Sequence, residues 1–328
     1  MPDSNSLEKI IEPREIAHIE LSLVVPVFNE SETVSLFIDR VKAVFDDRTE
    51  IKLEIIFIND GSRDDTLARL LELQKKNPEI RIVDLSRNFG KEAALTAGLD
   101  MTSGHAVVPI DVDFQDPPEI IIKMLEKWLE GYDIVVGKRI NRDSDTWIKR
   151  KSATWFYRIH NKLSEPEIPE NVGDFRLMDR SVVDALKAFP ESRRFMKGLF
   201  AWVGFKTAAV EYARPERIAG STTFNGWRLW NFALEGITSF STAPLRIWTY
   251  LGGVVAFMSL LFAIFMIFKV LLSGIDVPGY ASVVVAVTFL GGLQLIGIGI
   301  IGEYLGRSYI ESKRRPIYLV RRIYDKKE

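Results

Sequence analysis

Short apolar runs recur through the first 140 residues: "LSLVVPVF" (21–28), "LEIIFIND" (53–60), "IRIVDLS" (80–86), "HAVVPIDVD" (105–113) and "DIVVGKR" (133–139). Each is rich in β-branched residues and closes on polar or glycine-containing sequence, as strands do. Between them, residues 30–46, 64–76, 90–102 and 117–130 read as helices. Strands alternating with helices predict parallel strands joined by crossover helices, an α/β layer fold. Polar residues follow each strand: Asn29 and Glu30, Asn59 and Asp60, Arg87 and Asn88, Asp111 to Asp116, Lys138 and Arg139. Ligands of open parallel sheets bind beyond the carboxyl ends of the strands, so these five segments are expected to meet in one crevice.

The pattern changes past Pro244. Residues 247–272 and 280–301 are two long apolar runs, the first interrupted by Lys269. The 22 residues of the second span about 33 Å as a helix, the thickness of a hydrocarbon core. Both predict membrane-spanning helices. Arg307, Lys313, Arg314, Arg315, Arg321, Arg322, Lys326 and Lys327 follow the second run, whereas the connecting "SGIDVPG" carries no positive charge. The positive-inside rule then predicts a multi-pass protein of the cell (inner or plasma) membrane, with both termini and the α/β domain cytoplasmic. Gln294 and Glu303, in or beside the second run, read as interhelical or interfacial polar groups. Ahead of the first run, Trp227, Trp230, Leu234, Ile237 and Phe240 share one helical arc opposite Arg228, Asn231 and Glu235. This is either a helix lying in the headgroup layer or a core helix packed on the preceding domain. The organisation that follows is a leader over 1–18, an α/β domain over 19–224, an amphipathic region over 225–246, two spans within 247–303 and a basic tail over 304–328.

Composition narrows the chemistry. Among 328 residues, 43 basic and 44 acidic side chains give a charge of −1, leaving no electrostatic footprint for nucleic acid. Cysteine is absent, which excludes disulfides and thiolate catalysis. The first twenty residues contain no apolar core of a cleaved signal peptide. His18, His105 and His160 are too scattered to form a metal cluster. "GKEAALTAG" lacks the spacing of a phosphate loop and reads as a helix start.

Asp111, Asp113 and Asp116 lie within six residues at the exit of one apolar strand. Paired carboxylates there can hold a hard divalent cation, which also takes water and phosphate oxygens as ligands; alternatively they are turn and cap residues. Asp116, directly before two prolines, has the composition of a helix N-cap.

"VVPVFNE", "FINDGSRDDT", "LSRNFGKEAALTAGLD", "DVDFQDPPE", "VGKR" and "GDFRLMDR" occur in the order and spacing of family 2 glycosyltransferases of GT-A fold. Together with the apolar pair downstream, the chain resembles the polyprenyl-phosphate glycosyltransferases over about residues 20–315. It is similar to dolichyl-phosphate mannose synthases and most of all to bacterial bactoprenol glucosyltransferases. The resemblance implies a Rossmann-like, mostly parallel sheet and transfer of glucose from UDP-glucose to undecaprenyl phosphate, with inversion. It implies nucleotide-sugar contacts by Pro26, Phe28, Glu30, Asp60, Arg87, Gly90, Lys91 and Arg217. Asp111 would contact ribose or metal-bound water, and Asp113 and Gln115 would bind Mg²⁺ or Mn²⁺. Asp174 would face the sugar, while Arg139, Arg150 and Ser152 would receive the acceptor phosphate. Relatives often carry lysine near Thr223, so one cationic phosphate contact is missing here and Arg217 takes more of that role. A processive polysaccharide synthase of the same fold is disfavoured by the absence of a Q-x-x-R-W motif. A non-catalytic scaffold or flippase partner is disfavoured by the intact Asp113 and Gln115. The sugar, the prenyl chain length, the choice between Mg²⁺ and Mn²⁺ and assembly as a homo-oligomer are left open by the sequence.

Overall fold

The computed structural model describes residues 13–15, 17–140, 172–192, 194–213, 243–273 and 279–325. The five expected strands form: β1 (Ile19–Val27), β2 (Ile51–Asn59), β3 (Ile80–Leu85), β4 (Ala106–Pro109) and β5 (Ile134–Arg139). The expected helices follow the first four strands in turn as α1 (Val34–Phe45), α2 (Thr66–Lys76), α3 (Lys91–Met101) and α4 (Ile120–Leu129). Three further strands, β6 (Val172–Asp179), β7 (Thr207–Tyr212) and β8 (Val320–Tyr324), complete a sheet ordered β7-β5-β6-β4-β1-β2-β3-β8. β4, β1, β2 and β3 are mutually parallel; β6 runs antiparallel between β4 and β5, and β8 runs antiparallel along β3.

The apolar strand runs are continuous because the central strands are covered on both faces. Leu21, Leu23 and Val25 of β1 face a core shared with Phe37 and Ile38 of α1 and Met124 and Trp128 of α4. Val24 points the other way, toward α3, α5 (Arg180–Lys187) and α6 (Met196–Trp202), where Leu95, Val183 and Phe200 pack. The same alternation sorts β6: Phe175 and Leu177 join the first core, Val172 and Met178 the second. Asp174 and Arg176 therefore share the α6-facing side of the sheet.

Two long helices follow, α7 (Ala243–Ser273) and α8 (Tyr280–Ser312). Among the described residues one stretch, Phe289–Ser312, is long and apolar enough to cross a membrane, and Tyr250–Phe262 is a shorter apolar segment. The qualifying stretch thus ends eleven residues beyond the 301 expected from the sequence. A Cβ on Gly297 of α8 would collide with the Trp248 indole of α7, so the two helices touch there. Residues 225–242 of the predicted amphipathic region lie outside the described residues.

The basic tail is not free throughout. After α8, Ser86 N–H donates to Leu319 O at 2.9 Å, Arg321 donates to Ser86 O at 2.7 Å, and Gln74 donates to Tyr324 O at 2.7 Å. Glu311 of α8 accepts from Ser192 N–H at 2.9 and 3.1 Å, and Tyr318 donates to Asp100 at 2.8 Å.

Candidate active site

The loops leaving the parallel strands are tied to one another at the carboxyl edge. Asn29, in a left-handed conformation at φ 56°, receives a hydrogen bond from Arg63 N–H at 2.8 Å, and its own N–H donates to Ser62 Oγ at 3.0 Å. Glu30 N–H donates to Thr66 Oγ1 at 2.8 Å, and Thr33 Oγ1 donates to the Glu30 carboxylate at 2.7 Å. Pro26 sits within β1 and Phe28, 43% exposed, stands at the rim. Asp60 is buried, and its two carboxylate oxygens accept from Phe89 N–H at 2.7 Å and Gly90 N–H at 2.9 Å. Gly61, at φ 64°, lies under the next loop: a Cβ there would stand 2.5 Å from Arg87 C and Asn88 N. Arg87 covers the Phe89 ring at 3.9 Å. The first three exits therefore form one braced surface carrying Phe28, Glu30, Asp60, Arg87 and Gly90.

Lys91, opening α3, joins this surface to the aspartates. Its ammonium lies 2.6 Å from Asp111 Oδ2 and 3.3 Å from Asp174 Oδ2. Burial opposes the charge on Lys91, but the two carboxylates outweigh it and hold the amine well above its usual range. Burial likewise opposes ionisation of Asp174, yet Lys91, Lys197 and Arg176 prevail and keep its carboxyl below the ordinary aspartate value. Asp111 goes the other way: burial dominates, Asp116 and Asp113 add repulsion, and its carboxyl is pushed up despite Lys91. Lys91 is thus shared between two carboxylates of opposite tendency.

Asp113 Oδ1 accepts from Gln115 N–H at 3.1 Å across Phe114, a buried residue at φ 62°. That left-handed turn folds the Asp113 carboxylate back onto the Gln115 backbone N–H. Gln115 Oε1 is buried with no hydrogen-bond partner. Among the described residues no three His, Asp or Glu side chains form a metal cluster. Two protein oxygens, one of them an orphaned acceptor, nonetheless suit Mg²⁺ or Mn²⁺, which completes its shell with water and phosphate.

Asp116 is not the cap of α4. That helix begins after Glu119, and Asp116 is buried, accepting from the Tyr212 hydroxyl and lying 3.6 Å from Arg139. Arg139 Nε also reaches Tyr212 Oη at 3.3 Å. The prolines set the loop's course, but the carboxylate turns inward because a cation and a phenol from β5 and β7 meet it there. Arg139 reaches the crevice with its guanidinium already partnered. Arg150, Ser152, Arg217 and Thr223 lie outside the described residues.

Three charged residues that sequence reasoning missed complete the floor. Arg176 is buried, donates to Gly173 O at 2.7 Å and stacks over Phe200 at 3.9 Å, while its Nε has no partner. Lys197, the second residue of α6, lies beside it. Glu92, after Lys91, accepts from Met196 N–H at 3.2 Å; burial, then Asp174, pushes its carboxyl up to about 7. The available signal was the two-residue strand period, which sets Arg176 on the same face as Asp174.

A mixed, mainly parallel sheet carries a charged crevice at its carboxyl edge, and the chain belongs to glycosyl transferase family 2, whose domain matches residues 22–187. It is 54% identical over 305 residues to a prophage bactoprenol glucosyl transferase homolog of Escherichia coli (strain K12), covering 93% of this chain and 99% of that one. It is equally 54% identical over 303 residues to the bactoprenol glucosyl transferase of Shigella phage SfX, covering 92% and 99%. Among solved structures, glucosyl-3-phosphoglycerate synthase from Mycobacterium tuberculosis, in complex with Mn²⁺, UDP-glucose and phosphoglyceric acid, aligns at 21% identity and TM-score 0.48 over 67% of this chain and 78% of its own.

Proposed function

We propose that this glycosyltransferase moves glucose from UDP-glucose to the phosphate of a polyprenyl lipid, undecaprenyl phosphate, at the cytoplasmic face of the membrane. The observation that carries the reading is 54% identity to relatives named as bactoprenol glucosyl transferases along 93% of the chain. A phosphate oxygen of the lipid attacks the anomeric carbon, the bond to UDP breaks, and configuration inverts. Asp113 and Gln115 Oε1 are the residues that would hold Mg²⁺ or Mn²⁺. When bound, the metal neutralises charge developing on the departing diphosphate. The braced surface of Phe28, Glu30, Asp60 and Arg87 receives the nucleoside, with Gly90 and Lys91 toward the diphosphate. Lys91 fixes Asp174 at the sugar, and the acceptor phosphate is assigned to Arg139, with Arg150 and Ser152 assigned to it from the motif resemblance alone.

The membrane reading rests on α7 and α8. Phe257, Phe262, Phe265, Leu295 and Ile298 are exposed, which water would penalise and lipid would not. On this reading α7 and α8 are two spans joined by a short external turn, and they hold the crevice where the lipid phosphate lies. The test is a panel of radiolabelled nucleotide sugars offered to the full chain in membranes, scoring label that partitions into organic solvent. Label from UDP-glucose that depends on added polyprenyl phosphate supports the reading. Its absence across the panel, or label independent of the lipid phosphate, overturns it.

A further inference from the structure

β8 does more at the end of β3 than close the edge of the sheet. Its pairing runs in step from Ile82 with Tyr324 to Asp84 with Arg322, and then skips. Leu85 pairs with Val320, so Arg321 is the extra residue of a β-bulge. A bulge takes its extra side chain out of the strand's alternation and re-aims it. Here the Arg321 guanidinium lies over the carboxyl end of β3, 3.6 Å from Asp84 Oδ2, and donates to Ser86 O at 2.7 Å. Ser86 N–H donates to Leu319 O at 2.9 Å. Both backbone groups of the residue before Arg87 are therefore held by the tail that follows α8.

Asp84 is buried, and its other carboxylate oxygen accepts from Asn59 Nδ2 at 2.8 Å. A carboxylate out of water needs donors and a counter-charge, and the amide and Arg321 supply them. Asn59 is buried too, and its Oδ1 accepts from Ser62 N–H at 3.3 Å. Ser62 Oγ in turn accepts from Asn29 N–H at 3.0 Å. A continuous line of contacts thus runs from Arg321 through Asp84, Asn59 and Ser62 to Asn29, along the exits of β3, β2 and β1. Asp60, next to Asn59, grips Phe89 and Gly90 N–H from the same line. The surface that carries Phe28, Glu30, Asp60 and Arg87 has its outer buttress in the tail.

We propose that Arg321 is a positioning residue for the nucleotide, holding the β2 and β3 exits in the arrangement that receives the nucleoside diphosphate. Donor affinity then depends on a side chain that follows the long helices in sequence. The inference rests on the proposed function for placing the nucleotide on this surface. Arg321 is 62% exposed, so shortening it leaves no hole in the core and the fold survives the change. The acceptor phosphate, assigned to Arg139 on β5, lies outside the braced line.

Hydrogen exchange and UDP calorimetry on the full chain in detergent read the brace and its effect separately. In Arg321→Gln the amides of residues 86–90 should exchange several-fold faster. UDP should bind about fivefold more weakly, the loss of one hydrogen bond whose donor is mostly in water. KM for UDP-glucose should rise by the same factor, with kcat and KM for polyprenyl phosphate unmoved. Arg321→Lys keeps the charge beside Asp84 without the fork, and should recover part of the loss. Asp325→Asn breaks the tail's ion pair with Arg81, 2.5 Å long and at the other end of β8, and should leave every one of these readings unchanged. Unaltered exchange at 86–90 in Arg321→Gln overturns the proposal, as does UDP binding equal to wild type. An equal loss in Asp325→Asn overturns it too, since loosening β8 anywhere would then suffice. If the wild type binds no UDP, the donor in the proposed function is wrong, and exchange at 86–90 alone decides the brace.

Discussion

Replacing Asp174 with asparagine separates two roles that a carboxylate beside the sugar could have, general base or orienting charge. Asp174 Oδ2 stands 3.3 Å from the Lys91 ammonium. Two unit charges at that distance interact by about 5 kcal/mol at an effective dielectric of ~20. Lys91 is 46% exposed and keeps Asp111 at 2.6 Å, so water and the second partner absorb most of that. A net loss of about 1–3 kcal/mol remains, or roughly 5- to 150-fold in rate if the geometry at Lys91 serves the transition state. The pH profile is the sharper readout. Lys91, Lys197 and Arg176 hold Asp174 below the ordinary aspartate range against the effect of burial, so it stays ionised throughout the neutral region and is a poor proton acceptor there. A phosphomonoester acceptor needs no base, because its second ionisation lies near pH 6. Radiolabel transfer into lipid, measured from pH 5 to 8.5 for wild type and Asp174→Asn, should show the same acid limb in both, with the variant uniformly lower. A variant that binds both substrates normally yet falls more than about 10⁴-fold, or that loses the acid limb, would refute this reasoning and return the base to Asp174.

Asp113→Asn removes one oxygen charge from the metal pair and should raise the Mg²⁺ or Mn²⁺ concentration for half-maximal transfer at least tenfold. Asp116→Asn should leave that metal titration unmoved and instead lower thermal stability, by about 1–3 kcal/mol, since Arg139 loses its buried counter-charge. Glu92 is pushed from 4.5 to about 7 by burial and Asp174, so the folded chain holds a proton that the unfolded chain releases as pH rises through that window. Wild type should therefore lose stability from pH 4.5 to 7 and Glu92→Gln should lose less, read as the melting temperature of each across that range. In the cysteine-free chain, a cysteine at Ser273 should react with an impermeant maleimide only from the non-cytoplasmic side; labelling from the cytoplasm alone would sink the hairpin.

The parallel half of the sheet was legible because β1 to β4 are buried on both faces and must be written as unbroken apolar runs. β6 was not, because "VGDFRLMD" carries charges at Asp174 and Arg176 that read as a loop and are in fact held inside by Lys91 and Phe200. β7 alternates exposed and buried positions over only six residues, too short a pattern to stand out beside the surrounding polar sequence. Local composition also misassigned Asp116: Asp-Pro-Pro is good cap chemistry, and only the arrival of Arg139 and Tyr212 from elsewhere in the chain turns the side chain inward. The assignment of Asp113 and Gln115 came from the motif resemblance, and the orphaned Gln115 Oε1 is a separate physical reason to look there.

β8 has a consequence for how the two substrates are found. Seven residues separate the end of α8 at Ser312 from the start of β8 at Val320, a leash that spans no more than about 25 Å when taut. Both ends are knotted to the catalytic domain, by Glu311 on Ser192 and by β8 on β3. With α8 in a bilayer, the domain cannot drift off into the cytoplasm between turnovers, nor swing far about its stem. The crevice keeps a fixed standoff from the headgroups. The soluble donor then searches three dimensions, whereas the lipid only has to diffuse within a disc under a stationary mouth, and lengthening the leash should cost the enzyme its lipid encounters while sparing its affinity for the nucleotide.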